Sequence, residues 1–505
     1  MNADRRRAPG PLPLGGLAGP DFARVAVGGF GDGGNSYPHS MAWFRGKLYV
    51  GTVRHLLSLL KSSQPPLPHF MDPWPVRYPD DVFSLDLRAQ IWCYEPQSDS
   101  WEHVHSSPVV VGPGGHEVPR DLGYRGMAVF QGTSDPAPAL YVTTVSSDSR
   151  GPGAHVLRST DGLSFEAVSE PGLGDPNISS LRSLVSFEGR LFVSPTGNRQ
   201  AWNVAPSAEV IGSRDPVSEP WERVSIPGFG DSSNESVFEM EHFGGYLYAG
   251  TFNSRSGYQV WKTKAEGEPP YSWTKVVGSG AYRGNLNEAA TSMCAFGDAL
   301  YVGSGIQNGG YDRTNRVGPA AGELIRIYPD DTWDLVVGTP RSTPGGAKAP
   351  LSGMGPGFDN FFNGYIWRMA AHDGWLYVGT MDTSVFLPYA SRARLPPWLQ
   401  RLIRQVGVYE LVRYEGGFDL WRSRDGIRWT NVTRTGFGNP CNYGARTMVS
   451  SPCGLFVGAA NPFGPEVAAQ TVSGWTYVPN QGGGAEVWLG SQDRQGSDGY
   501  EGRTT

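Results

Sequence analysis

Four arginines occupy equivalent places in a repeated segment of the chain, and together their side chains could bind an anion. Arg125, Arg182 and Arg446 each stand two residues before a methionine or leucine that opens the segment, and Arg368 stands one residue before it. A guanidinium group presents its N–H donors in a planar fork that matches a carboxylate or phosphate. A single arginine of this kind more often donates hydrogen bonds to loop carbonyls. Four arginines that converge repel one another unless a nearby negative charge compensates them. The spacing therefore predicts a site for an anionic or strongly polarised ligand group.

Candidates for proton transfer stand at the same level of the repeat. His39 and Glu239 come just before their own opening methionines, Tyr443 comes three residues before Arg446, and Asp382 ends the second strand of its repeat. These groups can exchange protons near neutral pH when neighbours shift their pKa, and an arginine beside Tyr443 would lower the pKa of its phenol. Each could instead be a satisfied hydrogen-bond partner. The candidate catalytic residues are Arg446, Arg368, Tyr443, Asp382, Glu239 and His39.

Other residues at these places would contact a substrate. Phe238 and Trp367 stand two residues before the opening methionine, Arg54 ends the second strand of the first repeat, and Trp398 lies in a segment with a helical apolar pattern. Aromatic side chains there favour a ligand that is partly hydrophobic. The candidate substrate-binding residues are Arg125, Arg182, Arg54, Trp367, Phe238 and Trp398.

The repeated segment sets where these residues lie in the fold. The segment MAWFRGKLYVGT from Met41 recurs, with variation, from Met127, Leu184, Met240, Met293, Met369 and Met448. Each copy combines an apolar strand, a tight turn that usually contains glycine, and a strand rich in aromatic and β-branched residues, which is typical of a hairpin. In six copies a second pair of strands follows. The pattern predicts an all-β protein, a seven-bladed β-propeller with four-stranded antiparallel blades that forms one domain over residues 1–505.

The last repeat lacks its outer strand, and the N-terminus can supply it. The segment AEVWLGSQD from Ala485 provides a third strand and is followed by a polar tail. The segment FARVAVGGFGDGGN from Phe22 aligns without a gap with WERVSIPGFGDSSN from Trp221 and WTNVTRTGFGNPCN from Trp429. We therefore expect residues 22–28 to form the outer strand of the last blade and to close the ring, which leaves no unpaired blade edge.

Two kinds of turn resemble known propeller repeats. The turns STDGLSF from Ser159 and SRDGIRW from Ser423 resemble shortened Asp-box repeats of sialidase-type propellers, and YEPQSDSW from Tyr94 and YPDDTW from Tyr328 are similar to kelch repeats. The resemblance covers nearly the whole chain as architecture and includes no catalytic motif. Sialidases also bind a carboxylate with an arginine cluster, but they have six blades, and their Tyr/Glu nucleophile pair has no counterpart here. The resemblance therefore implies the fold, and the likeness in function is an analogy.

Long connections follow the second strand of several repeats, and they all emerge at the mouth where the arginines are expected. The insertions 53–89, 381–417 and 461–484 belong to blades that are neighbours in a closed ring, so we expect them to form a partial lid. Two of them carry helical apolar patterns, from Val53 and from Leu395. These helices either pack onto the propeller or form an apolar wall that admits a hydrophobic substrate or touches a membrane.

Composition and missing motifs exclude several classes of function. The net charge is −6 and no long basic run occurs, so nothing favours a nucleic-acid partner. No apolar stretch is long enough for an integral membrane segment and no secretory signal is recognised, so we expect a cytoplasmic protein. The 4 cysteines show no CxxC pairing, and no zinc or phosphate-loop motif occurs, so we expect neither a metal nor another cofactor.

The pattern favours an enzyme that acts on a small molecule in the central funnel. The expected substrate is partly hydrophobic and carries an anionic or polar leaving group, and the reaction is of transferase, alkylating, hydrolase or lyase type. Propellers of similar organisation include enzymes that alkylate arenes in natural-product metabolism, which makes that chemistry one candidate by resemblance. The alternative is a non-catalytic module that binds a protein or glycan on its top face. An enzyme requires a deep pocket with an acid or base beside the arginines, whereas a docking module requires a broad, open aromatic surface.

Overall fold

Antiparallel strands make up most of the computed structural model, which describes residues 15–63, 71–147, 150–198, 203–205, 207–312 and 314–492. The polar tail after Gln492 lies outside the described residues. The strands of the first half of the chain are β1 (Phe22–Ala26), β2 (Asn35–Phe44), β3 (Lys47–Arg54), β4 (Gln90–Glu95), β5 (Ser100–Ser106), β6 (Val109–Val111), β7 (Glu117–Pro119), β8 (Gly123–Phe130), β9 (Ala139–Val145), β10 (Val156–Ser159), β11 (Glu166–Ala167), β12 (Ser180–Phe187), β13 (Arg190–Gly197), β14 (Ile211–Ser213), β15 (Glu222–Arg223), β16 (Ser236–Phe243) and β17 (Tyr246–Phe252).

The second half continues the same pattern. Its strands are β18 (Val260–Thr263), β19 (Thr274–Val277), β20 (Ala289–Phe296), β21 (Ala299–Gly305), β22 (Leu324–Ile327), β23 (Trp333–Val337), β24 (Arg341–Thr343), β25 (Gly346–Lys348), β26 (Asn363–His372), β27 (Trp375–Asp382), β28 (Leu420–Ser423), β29 (Thr430–Thr433), β30 (Gly444–Ser451), β31 (Gly454–Ala460), β32 (Glu466–Thr471), β33 (Gly474–Pro479) and β34 (Glu486–Gly490). The α-helices are α1 (Leu56–Ser62), α2 (Ser279–Tyr282), α3 (Gln307–Gly310), α4 (Pro397–Val406) and α5 (Val408–Glu415). Short 3-10 turns lie at Gly19–Asp21, Val82–Ser84, Pro171–Gly174, Pro227–Gly230, Gly284–Asn287, Ser384–Tyr389, Arg392–Arg394 and Gly436–Gly438.

Strand pairing repeats a four-stranded antiparallel unit, as expected for a β-propeller. The order β2-β3-β4-β5 recurs in β8 to β11, in β12 to β15, in β16 to β19, in β20 to β23 and in β26 to β29. The last unit is β30-β31-β34-β1, because β1 pairs antiparallel with β34 and places Phe22 opposite Gly490. The predicted contact between the N-terminal strand and the Ala485 segment is therefore present. Hydrogen bonding joins these strands into one sixteen-stranded and one twelve-stranded sheet.

An asparagine at or just before the start of the innermost strand makes a buried hydrogen-bond network in each of several units. Asn442 Nδ2 donates to the Gly436 carbonyl at 3.0 Å and to Glu486 Oε2 at 2.6 Å. Trp488 Nε1 donates to the same carboxylate at 3.0 Å. Asn35 and Asn234 make the equivalent bonds to Gln90 and Gln259. The recurrent turns GFGDxxN and GFGNxxN are thus hydrogen-bonded to the glutamine or acidic residue that stands two places before a tryptophan, and together they form one buried network.

The phenylalanine of the same turn stacks on that tryptophan. The rings of Phe229 and Trp261 are 5.3 Å apart and those of Phe437 and Trp488 are 4.5 Å apart, both stacked. Phe229 and Phe437 have φ of 55° and 57°, which lie in the left-handed region that glycine usually occupies. Such a φ is unfavourable for a bulky residue, and the stacking contact offsets part of the cost. The turn that follows β1 contains the same contact, between Phe30 and Trp92 at 5.0 Å.

The three insertions pack against one another in a shared apolar cluster. Leu57 and Trp74 come from the first insertion, Tyr389 from the second and Phe463 from the third, and all are buried. Isolated bridges join Met71 to Ala390 and Val76 to Val467. The third insertion also contains the hairpin β32–β33, which the sequence pattern does not predict.

The helix expected from Leu395 is interrupted at Gly407, whose φ of 93° separates α4 from α5. Leu399 and Ile403 are buried, whereas Trp398 is 40% exposed and Val406 is 44% exposed. Only part of the expected apolar stripe therefore packs on the fold. Within the described ranges, no helix has the length and apolar character needed to cross a bilayer.

Candidate functional site

Each innermost strand has a pairing irregularity at the place that the repeat singles out. At each irregularity, one or two residues of the inner strand have no paired residue on the neighbouring strand. These residues are His39, Arg125, Arg182 with Ser183, Phe238, Thr291, Trp367 and Arg446. A bulge leaves a residue without a ladder partner, bends the strand and redirects the side chain. Many of the histidine and arginine candidates therefore lie at bulges, where side chains do not follow the regular alternation between the two faces of a strand.

A cavity of about 110 Å³ lies among these bulges. Six of the predicted site residues line it: His39, Arg125, Arg182, Glu239, Arg368 and Arg446. Its apolar wall consists of four residues that open the repeated segment: Met41, Met127, Leu184 and Met448. Ser40, Ser183 and Thr447 supply hydroxyl groups. The site thus combines a cluster of guanidinium groups with a small apolar surface.

Arg125 and Arg182 are held by neutral partners. Arg125 donates to Ser180 Oγ at 2.6 Å, to Thr196 Oγ1 at 3.2 Å and to Asn203 Oδ1 at 2.6 Å. Arg182 Nε donates to the Phe238 carbonyl at 2.6 Å. These hydrogen bonds fix the two side chains through neutral groups, and Glu239 is a negative charge that acts on both guanidinium groups.

Glu239 is the one carboxylate among the residues that line the cavity. Its Oε2 lies 3.4 Å from Arg368 Nη1, and its Oε1 accepts from Ser183 Oγ at 3.4 Å. Arg446 is 4% exposed, and its Nη1 is buried without a hydrogen-bond partner among the described residues. Among the described residues that line the cavity, four guanidinium groups therefore stand against a single carboxylate.

The pKa values of the site reflect burial and this excess of positive charge. Burial, with the neighbouring guanidinium groups, holds the pKa of Arg125 and of Arg446 well below the usual arginine value, and the pKa of Arg182 falls to about 10. Burial and then Arg446, Arg125 and Arg182 also lower the pKa of His39 well below its ordinary value. The imidazole of His39 is therefore neutral at neutral pH, and its Nδ1 is buried without a hydrogen-bond partner among the described residues.

Two predicted binding residues lie behind the arginines and do not line the cavity. The ring of Phe238 lies 4.1 Å from the guanidinium carbon of Arg182, and that of Trp367 lies 5.7 Å from the guanidinium carbon of Arg446. Aromatic faces attract cations and exclude water from them. Phe238 and Trp367 therefore contact guanidinium groups outside the cavity lining, and the predicted contact of these two residues with a substrate stays a prediction.

Tyr443 does not take the place that its sequence position suggested. It packs edge-on against Trp367 at 5.8 Å and Phe386 at 5.6 Å and does not line the cavity. Burial raises the pKa of its phenol, and the opposing influence of Arg446 is smaller. The expectation of a lowered phenol pKa was wrong, because desolvation of the phenolate outweighs the nearby positive charge.

Three further candidates lie away from the cavity. Arg54 is paired with Asp32 at 2.5 Å and with Asp86 at 3.1 Å. Asp382 is fully buried and accepts the Ser384 N–H at 2.8 Å, and burial raises the pKa of its carboxyl well above the usual value. Trp398, in the second insertion, is exposed and packs edge-on against Phe361, with the ring centroids 4.9 Å apart. These three residues, which the sequence grouped with the arginines, therefore lie outside the cavity lining.

Sequence reasoning missed the residues that hold Arg125. Ser180 and Thr196 belong to strands of the next unit, and Asn203 lies in the connection between β13 and β14 of that unit. No periodicity distinguishes these residues from other polar residues near strand ends. Within the described part of the chain, no group of three or more histidine, cysteine or acidic side chains is arranged to hold a metal ion.

Comparisons with known proteins give structural likenesses at low identity. No family model matches the chain, and no curated protein matches it. A puromycin-hydrolysing peptidase of Mycobacterium tuberculosis is 11% identical with a TM-score of 0.43, over 89% of this chain and 52% of the peptidase. An ancestral GH74 enzyme is 12% identical with a TM-score of 0.40, over 82% of this chain and 47% of that enzyme. The GH93 α-L-arabinofuranosidase of Fusarium graminearum is 10% identical with a TM-score of 0.36, over 72% and 93% of the two chains. The chain spans about half the length of the first two of these proteins.

Proposed function

We propose that the protein is an enzyme that binds a small molecule in the central cavity through an anionic or strongly polar group. The observation that carries the proposal is the charge balance of the described lining residues, which include four arginines (Arg125, Arg182, Arg368 and Arg446) and one carboxylate (Glu239). Buried like charges cost free energy unless a counter-charge is present. A bound anion supplies that charge and accepts hydrogen bonds from groups such as Arg446 Nη1.

The size and lining of the cavity restrict the ligand. A volume of about 110 Å³ is smaller than the roughly 300–1,000 Å³ of sites for drug-sized ligands. The guanidinium groups fit a carboxylate, sulfate or phosphate, and Met41, Met127, Leu184 and Met448 fit a short apolar portion. The ligand class that follows is a small organic anion.

His39 is the proposed general base of the reaction. Its imidazole is neutral, lines the cavity beside the arginines and has a free Nδ1 lone pair or N–H according to the tautomer. Elimination, in which His39 removes a proton while the arginines hold a departing anion, uses this arrangement. Hydrolysis and group transfer, including alkyl transfer to an arene, use the same leaving-group stabilisation.

We further propose that the repeated units form a closed ring of seven blades around this cavity. The lining residues come from β2, β8, β12, β16, β26 and β30, which belong to six different units and meet most simply around a central axis. Asn461 N–H donates to the Ser36 carbonyl at 2.8 Å and Thr447 Oγ1 donates to the Pro38 carbonyl at 3.2 Å, which joins the last unit to the first. At this junction Phe30 stacks on Trp92, and the same phenylalanine–tryptophan contact joins other neighbouring units.

Anion binding is tested by calorimetric titration of wild-type protein with acetate, benzoate, phosphate and sulfate. The Arg446→Met variant tests the site, and Arg255→Met, which changes an exposed arginine outside the cavity, is the matched control. At least one anion should bind wild type and the control equally, and Arg446→Met should bind it at least about tenfold more weakly, since a charge-assisted hydrogen bond contributes about 1.5–3 kcal/mol. Equal affinity in all three proteins, or binding in none, would contradict the proposal.

The enzymatic part is tested separately with a small-metabolite extract followed by mass spectrometry. A compound that is consumed by wild type and Arg255→Met but not by His39→Gln supports catalysis in the cavity. If anions bind but no compound is consumed, the binding site stands and the assignment as an enzyme is wrong.

A further inference from the structure

The last residue of the repeated inner strand differs in two adjacent units. Three residues after the opening methionine or leucine, five units have phenylalanine: Phe44, Phe130, Phe187, Phe243 and Phe296. The next two units have His372 and Ser451 at that place. Phe44, Phe130 and Phe187 are 4–8% exposed and belong to the apolar core. Two consecutive units have therefore replaced a core ring by a polar side chain, which is the kind of departure from local consistency that marks functional sites.

A second cavity, of about 280 Å³, lies where the two rings are missing. Both replacements, His372 and Ser451, line it, together with Asp373, Trp375, Tyr377 and Cys453. His372 and Ser451 end β26 and β30, whereas Arg368 and Arg446 lie earlier in the same strands. The second cavity is thus at the hairpin end of the units, away from the arginine cluster. Exchange of a large side chain for a smaller one leaves space that its neighbours fill only partly.

His372 and Asp373 line this cavity and Ser450 lies beside His372, so that the three groups stand in the order of nucleophile, base and orienting group. His372 Nδ1 lies 2.9 Å from Ser450 Oγ, and His372 Nε2 lies 3.4 Å from Asp373 Oδ2. The turn that brings Asp373 beside the ring depends on φ values of 46° at Asp373 and 75° at Gly374. His372 is 8% exposed, whereas Ser450 is exposed. A hydrogen on Nε2, facing Asp373, leaves the Nδ1 lone pair to accept the Ser450 hydroxyl proton.

The protonation state of the histidine suits a base. Burial lowers the pKa of His372 below its ordinary value, and the charge of Asp373 opposes this only in part. The imidazole is therefore largely neutral at neutral pH and available to accept a proton.

We propose that Ser450, His372 and Asp373 form a second reactive site, which hydrolyses small carboxylic esters. Ser450 Oγ attacks the carbonyl carbon while its proton passes to His372 Nδ1, and the bond from that carbon to the alcohol oxygen breaks as His372 returns the proton to the leaving alcohol. Water then attacks the acyl-serine, and His372 takes a proton from the water and returns it to Ser450 Oγ as the carboxylic acid leaves. The cavity beside Trp375 and Tyr377 receives an apolar acyl or alcohol group. Asp373 is a positioning residue that orients the imidazole.

The test is the rate at which a fluorophosphonate probe labels the full-length protein, with the modified residue identified by peptide mass spectrometry. Wild type should carry the label on Ser450, and Ser450→Ala should lose it. His372→Phe is the informative variant, because it restores the residue that five other units carry and should fold normally. It should slow labelling of Ser450 by about 100-fold or more, the usual contribution of a general base.

Asp373 is tested by two variants that keep the turn. Asp373→Asn should slow labelling, since asparagine tolerates the left-handed conformation but does not stabilise the charged imidazolium, and Asp373→Glu should restore part of the rate. Arg255→Met is the control and should label at the wild-type rate. Hydrolysis of p-nitrophenyl butyrate should follow the same order of variants. Absence of label on Ser450, or an unchanged rate in correctly folded His372→Phe, would overturn the proposal.

Discussion

Replacing Arg446 by methionine should make the ligand-free protein more stable. The side chain is 4% exposed, its Nη1 has no hydrogen-bond partner among the described residues, and Arg368 and Arg182 add repulsion. Exchange of buried ionic groups for apolar groups of similar volume often stabilises proteins by about 1–4 kcal/mol. Loss of the contact with Trp367 subtracts about 0.5–2 kcal/mol. We therefore expect Arg446→Met to unfold with a free energy about 1–2 kcal/mol higher than that of wild type.

A bound anion should reverse much of this advantage. At a concentration of 100 times the dissociation constant, a ligand stabilises the folded protein by about 2.7 kcal/mol. If the variant binds tenfold more weakly, the same concentration stabilises it by only about 1.4 kcal/mol. The difference in unfolding free energy between the two proteins should therefore shrink by about 1.3 kcal/mol when the anion is added. Urea unfolding with and without the best anion measures both quantities.

The sign of the first effect decides whether the reasoning holds. An arginine whose charge is fully answered by the protein would lose stability on replacement, as when one partner of a buried pair is removed. A loss of more than about 1 kcal/mol in ligand-free Arg446→Met, with Arg255→Met unchanged, would mean that the protein itself compensates the charge. The anion site would then have no basis.

Three further predictions concern the ring junction, the pH response and the buried network. Phe22→Ala should reduce the unfolding free energy by about 3–4 kcal/mol, because the ring is buried against Phe437 at 5.1 Å. Val27→Ala, at an exposed site, is the control. If the two variants change the free energy of urea unfolding equally, β1 lies outside the cooperative fold. The lowered pKa of His39 means that the folded state binds fewer protons than the unfolded state, so this group reduces stability as pH falls below about 6.5. Between pH 7.5 and pH 5.5, the free energy of unfolding of His39→Gln should therefore rise by about 1.4 kcal/mol relative to that of wild type. If the difference between the two unfolding free energies stays constant with pH, His39 is not desolvated. Asn442→Ala should cost about 2–3 kcal/mol by removing a donor from the buried Glu486, and a thermal melt like that of wild type would contradict the network.

The sequence alone determined the strands and their order within each unit. Alternation of apolar and polar residues and the glycine turns act locally, so each hairpin from Met41 to Met448 can be recognised without knowledge of its neighbours. Gap-free alignment of the Phe22 segment with two internal segments also predicted the pairing of β1 with β34. Counting back from the opening methionines then identified six residues that line one cavity.

Tertiary structure decided which residues of equal register share that cavity. Arg54 is paired with Asp32 and Asp86, and Asn203 binds Arg125, although none of these pairs has a periodic signal in the sequence. The pKa of Tyr443 likewise depends on the rings that bury it, which come from separate insertions. Strand register determines where a side chain leaves the backbone. Charge compensation and desolvation depend on groups that are far apart in the chain, so only the assembled fold determines how far each charge is compensated.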